Sequence, residues 1–151
     1  MIISFFGHSS FTKSYSDEEK ILNLLEEKVG DNPADIYLGG YGDFDEFAYQ
    51  CAKKYKSRHP NVSLIFITPY ITEKYQLQKL SVLKQKYDDI IYPGLEETPL
   101  KFAISRRNMW MVDQSDYIVC GIYHSWGGAY KAYCYAKRKK RYVYNITNAV
   151  V

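Results

Sequence analysis

Ile36-Tyr37-Leu38-Gly39-Gly40-Tyr41-Gly42-Asp43-Phe44-Asp45-Glu46-Phe47-Ala48 is the stretch that decides the fold. An apolar run enters a glycine cluster, and beyond it Phe47, Ala48, Cys51, Ala52 and Tyr55 recur at three- and four-residue intervals, the period of a helix. The stretch reads as strand, tight turn, helix. Glycine lets the backbone turn through conformations closed to other residues and lets a ligand come close. The first amides of a helix point outward without internal partners, which makes them a seat for phosphate or carboxylate. The spacing G-G-x-G differs from the dinucleotide fingerprint G-x-G-x-x-G. Glu46 has two readings, as a ligand-facing acid or as the closing residue of a capping box begun by Asp43.

The same device returns at Ser125-Trp126-Gly127-Gly128-Ala129, between the run Tyr117-Ile118-Val119-Cys120 and a helical segment. Outward from these two turns, short apolar strands alternate with helices. Strands are expected at Ile2–Phe6, Asp35–Leu38, Val62–Ile67, Asp89–Tyr92, Tyr117–Cys120 and Tyr142–Ile146. Helices are expected after Ser16, from Asp43 to about Ser57, from Glu73 to Lys86 with Leu77, Leu80, Leu83 and Tyr87 as its buried stripe, from Leu100 to about Asp113, and from Gly128 to Lys139. This alternation predicts an α/β domain with three layers, a Rossmann-like, doubly wound and mainly parallel sheet. The expected strand order is 3-2-1-4-5 with the sixth as an extra edge strand. No linker interrupts the chain, so residues 1–151 are read as a single domain.

Composition narrows the function. Hydrophobic residues make up 46% and charged residues 25%, as in globular proteins. No apolar run reaches the length that spans a bilayer, and the opening Met1-Ile2-Ile3-Ser4-Phe5-Phe6 has no basic leader of a signal peptide. Cys51, Cys120 and Cys134 form no C-x-x-C pair and read as reduced thiols, so a cytoplasmic location is expected. The net charge is +3, and the run Lys137-Arg138-Lys139-Lys140-Arg141 outweighs it. The positive charge is therefore one local patch rather than a stripe, which argues against nucleic acid as a partner. His8 and His124 lack the third ligand and the spacing of a zinc site, so no metal and no cofactor is expected. Ser125 is not in a G-x-S-x-G elbow.

In a parallel doubly wound sheet, the loops that leave the C-terminal strand ends open on one side, and ligands bind where the strand order reverses. That rule gathers Gly7, His8, Ser9, Gly39, Gly40, Gly42, Asp43, His124, Ser125, Trp126, Gly127 and Gly128 as candidate ligand-binding residues. Arg106 or Arg107 joins them from the helix before the fifth strand.

The motifs Phe5-Phe6-Gly7-His8, Leu38 to Ala48, Arg106-Arg107-Asn108-Met109-Trp110-Met111, Ser115-Asp116-Tyr117-Ile118-Val119 and Gly127-Gly128-Ala129 carry a resemblance. In order and spacing the chain resembles the SLOG superfamily of Rossmann-like nucleotide-binding domains, which includes the Lonely Guy (LOG) phosphoribohydrolases, the DNA-uptake protein DprA and the YpsA-like proteins. The resemblance implies a pocket for a nucleotide or nucleotide-derived small molecule, and it leaves homo-oligomerisation open. The hydrolase branch cleaves the N-glycosidic bond of nucleoside monophosphates with an arginine before the fifth strand and a glutamate after it. Carried onto this chain, those roles fall to Arg106 or Arg107 and to Glu46 as catalytic candidates. Glu46, however, follows the second strand, and Cys134 stands at the glutamate spacing after the fifth. The first expectation is therefore a nucleotide-binding or sensing module. The alternatives are an N-glycosidic-bond hydrolase and a DNA-associated or structural module.

Overall fold

β1 (Ile2–Gly7) lies inside a six-stranded sheet in the computed structural model, which describes residues 1–151. It is followed by α1 (Asp17–Lys28), β2 (Ala34–Leu38), α2 (Asp43–Arg58) and β3 (Val62–Ile67). A short α3 (Glu73–Tyr75), a π-helical stretch over Gln76–Leu80 and α4 (Ser81–Lys86) then lead to β4 (Asp89–Ile91). A 3-10 turn over Leu100–Phe102 opens α5 (Ala103–Gln114), and β5 (Tyr117–Gly121), α6 (Gly128–Arg138) and β6 (Tyr142–Asn145) complete the chain.

Every strand pair is parallel, and the order is β4-β3-β2-β1-β5-β6. The chain winds outward from β1 to β4, then crosses back to place β5 and β6 on the other side of β1. The helices are divided accordingly between the two faces of the sheet. Ile3, Phe5 and Ile36 meet Ile21 and Leu25 of α1 and Ala48 and Ala52 of α2 on one face. Phe6, Ile118 and Cys120 meet Val112 of α5 and Ala132 and Ala136 of α6 on the other.

The three layers, the parallel pairing and the sixth strand at an edge follow the sequence reading. The fourth strand differs, since it lies outside β3 while β5 takes the position beside β1. The cause is composition. β4 has an exposed Asp89 and half-buried Ile90 and Ile91, which suits an edge, whereas Ile118, Val119 and Cys120 of β5 are fully buried, which suits a strand covered on both faces.

Two local expectations also change. No capping box forms at α2, because Gly42 takes the cap position with φ 91° and without a side-chain bond. Asp45 instead reaches back and accepts the Tyr41 N–H at 2.9 Å. In the third helical region Leu80 and Tyr87 are buried, but Leu77 is 72% exposed. The π-helical stretch Gln76–Leu80 breaks the 3.6-residue period on which that stripe was read. No helix is long and apolar enough to cross a membrane.

Candidate functional site

The strand order reverses between β1 and β5, so the crevice of a doubly wound sheet opens between the loops that follow them. A cleft of about 300 Å³ lies there. Gly7, His8, Ser9 and Ser10 form one wall, His124 and Trp126 to Ala129 the facing wall, and Tyr41, Asp45, Arg107 and Asn108 the floor.

His8 is 4% exposed, and its Nε2 accepts the Tyr123 N–H at 3.2 Å. Its ring stacks on His124 at 3.5 Å between centroids, and His124 stacks on Trp126 at 3.7 Å. Burial, and then the nearby His124, push the pKa of His8 down to about 4. His124 Nδ1 is buried without a hydrogen-bond partner. The two histidines lie face to face rather than converging, and no three His, Cys, Asp or Glu side chains gather as a metal site.

The two glycine-opened helices differ. At α2 the loop after β1 has already taken the leading amides: Asp43 N–H donates to Ser9 O at 2.8 Å and Phe44 N–H to His8 O at 3.4 Å. Gly42 is glycine because a Cβ there would lie 2.5 Å from Ser9 Cα. At α6 the first backbone bond runs from Lys131 N–H to Gly127 O, and the Gly128, Ala129 and Tyr130 amides have no partner in the protein. A Cβ at Gly127 or Gly128 would meet nothing within 4 Å. α6 therefore has the open N-terminus, and α2 does not.

Of the two candidate arginines, Arg106 is exposed and Arg107 is 2% exposed. Arg107 Nη1 donates to Gly39 O at 3.0 Å and to Ile67 O at 2.8 Å, and its Nε to Asn108 Oδ1 at 3.0 Å. A Cβ on Gly39 would stand 3.0 Å from Arg107 Nη2 and 3.1 Å from Asp45 Oδ2. Glycine at 39 thus admits both groups. Burial raises the Asp45 pKa to about 6, against the opposing pull of Arg107 and of the Tyr41 N–H. Burial also lowers the Arg107 pKa, and Asp45 opposes that shift.

Several candidates fall outside the cleft. Glu46 is exposed, bonded to Gln50 Nε2 and Lys86 Nζ, each at 2.9 Å. Those bonds, the Gln50 bond foremost, hold its carboxyl below the usual range. Asp43 faces the same outer side and accepts the Phe11 N–H at 3.3 Å. Gly39 and Gly40 line a neighbouring cavity of about 690 Å³ instead. Ser125 is exposed and does not line the cleft. The acid that does line it is Asp45. Its signal was a carboxylate on the same helical stripe as Ala48, Tyr49 and Ala52, all buried.

Two solved structures share this architecture. DNA processing protein A from Helicobacter pylori, described by its single-stranded DNA binding mode, superposes with a TM-score of 0.62 over 95% of this chain at 15% identity. DNA processing protein A (DprA) from Streptococcus pneumoniae superposes with a TM-score of 0.62 over 99% of this chain at 15% identity. The chain has the Rossmann-like fold of DprA. The resemblance read from the motifs thus holds at the level of the fold. The chain spans 63% and 52% of the two DprA chains, respectively. No protein-family model and no curated protein matches the sequence. The DprA match corrects one expectation, because a protein of this fold is described as binding single-stranded DNA. A single local basic run is thus no ground for setting nucleic acid aside.

Proposed function

We propose that the protein binds nucleotide units of single-stranded nucleic acid in the cleft between the β1 and β5 loops. One observation carries this reading: the open α6 N-terminus stands beside Trp126, which is 70% exposed and backed by the His124 and His8 rings. Unpaired amides and the helix dipole attract a phosphate. An exposed indole offers a face for a base, and such stacking contributes about 1–3 kcal/mol per base without demanding a sequence. The DprA fold supports the choice of a strand over a free nucleotide, because one DprA is described as binding single-stranded DNA.

Fluorescence polarisation of a labelled oligothymidylate at fixed salt tests the proposal. Trp126→Ala should weaken binding about tenfold, in line with the loss of one stacked base. Gly128→Val should weaken it as much by covering the amides. Nothing lies within 4 Å of the added Cβ, so the circular-dichroism spectrum should stay the same. Parent-like affinity in both variants would refute the site.

A second reading, hydrolysis of an N-glycosidic bond, has Asp45 in its favour, a cleft carboxyl with its pKa raised to about 6. Such a group exchanges protons near neutral pH. Binding without turnover remains the proposal, and free base should not accumulate from nucleoside monophosphates above the buffer rate. Base release that disappears in Asp45→Asn, but persists in Glu46→Gln, would replace the binding reading with the hydrolase.

A further inference from the structure

The neighbouring cavity of about 690 Å³ is walled by Phe66, Pro69, Tyr70 and Tyr75, with Lys79 of the π-helical stretch among its lining residues. Tyr41, Ile104 and Arg107 line both this cavity and the cleft. Each hollow is in or near the range of about 300–1,000 Å³ that holds small ligands. Their chemistry is complementary. The cleft offers open amides and one exposed indole, whereas the second cavity is lined chiefly by rings and aliphatic side chains.

The shared wall carries an unspent donor. Arg107 is 2% exposed, and its Nε and Nη1 are bonded within the protein, while its Nη2 has no partner. A guanidinium held by three bonds is fixed in direction, and its remaining N–H groups suit an oxygen acceptor such as a phosphate.

We propose that the cleft and the Tyr70–Tyr75 cavity are two compartments of one site that takes two linked nucleotide units, with Arg107 Nη2 at the link between them. The inference rests on the nucleotide-binding reading above. One base stacks at Trp126 with its phosphate on the α6 amides. The second base enters among Phe66, Tyr70 and Tyr75, with Lys79 at the rim of that cavity. The shared chemistry is a dinucleotide, whether free or a step within a strand.

Calorimetric titration with 5′-phosphorylated deoxyadenosine mono- and dinucleotides and with a deoxyadenylate 12-mer, at one salt concentration, tests it. The dinucleotide should bind the parent at least tenfold more tightly than the mononucleotide. Val82→Trp fills the second cavity from a position 64% exposed on α4, and Tyr75→Ala removes one of its walls. Both should erase the tenfold gain and leave mononucleotide affinity within twofold. A 12-mer that binds at least as well as the dinucleotide supports the site as a step within a strand. A 12-mer excluded while the dinucleotide binds supports it as a seat for a free dinucleotide and overturns the strand as its ligand. Mononucleotide binding without the gain, or a gain that survives both variants, overturns the two-compartment site and leaves the cleft standing. Failure of all three ligands to bind overturns both.

Discussion

His8 and Asp45 titrate in opposite senses, and the fold should record both. His8 stays neutral in the folded protein down to about pH 4, whereas an unfolded histidine takes its proton near 6.5. Between those values the unfolded chain binds more protons, so His8 makes stability rise with pH. Asp45 holds its proton in the fold up to about 6, against 3.8 as the ordinary value. Over that window the folded chain binds more protons, so Asp45 makes stability fall as pH rises. The two slopes oppose each other in the parent. Asp45→Asn should therefore steepen the rise of Tm between pH 4 and 6.5, and His8→Asn should convert it into a fall. Superimposable Tm profiles for the three proteins would show that neither group titrates as its burial dictates. The arginine pair belongs to this scale too. Arg107→Ala leaves Gly39 O and Ile67 O without their donor and Asp45 without its cation. It should cost about 3 kcal/mol in urea unfolding, while Arg106→Ala, at an exposed position, should change stability by less than about 0.5 kcal/mol.

At the scale of elements, the two glycine turns look alike in sequence and serve different ends. Gly40 has φ 64°, and a Cβ there would come within 2.6 Å of the Phe66 ring. Gly40→Ala should lose more than about 1 kcal/mol for the backbone alone. Gly128→Ala, at the open start of α6, should be neutral or gain up to about 1 kcal/mol. Urea midpoints for the two variants check this contrast, and equal losses would contradict it. The strand–turn–helix units were legible because apolar runs, glycines and helical spacing are local signals. Which helix end stays open was not, because Asp43 and Phe44 lose their free amides to Ser9 and His8, residues of a distant loop. The choice between Arg106 and Arg107 was closer to legible. Arg107 shares its helical stripe with Ala103 and Met111, both buried, as is Arg107 itself. The position of β4 depended on which strand tolerates an edge, and a three-residue strand with an exposed Asp89 was a signal that alternation alone does not use.

For the whole molecule, the cleft is built from two halves of the winding. The outward half supplies β1 and α2, and the returning half supplies β5 and α6, with α5 carrying Arg107 between them. Arg107 joins the ends of β2 and β3 to α5 through Gly39 O and Ile67 O, so the floor is a fixed part of the sheet. The β1 loop is fastened to α2 by two backbone bonds, by the Gly42 contact with Ser9 and by Asp43 Oδ2 on Phe11 N–H. These attachments make the site lopsided, with the leading α2 amides already bonded within the protein and the leading α6 amides left open. Amide hydrogens at Asp43 and Phe44 should exchange slowly with deuterium, while those of Gly128, Ala129 and Tyr130 should exchange at once and slow only when a ligand seats. Because the fold leaves the α6 amides unbonded, an anion seated on them would add hydrogen bonds without breaking any that the protein already makes.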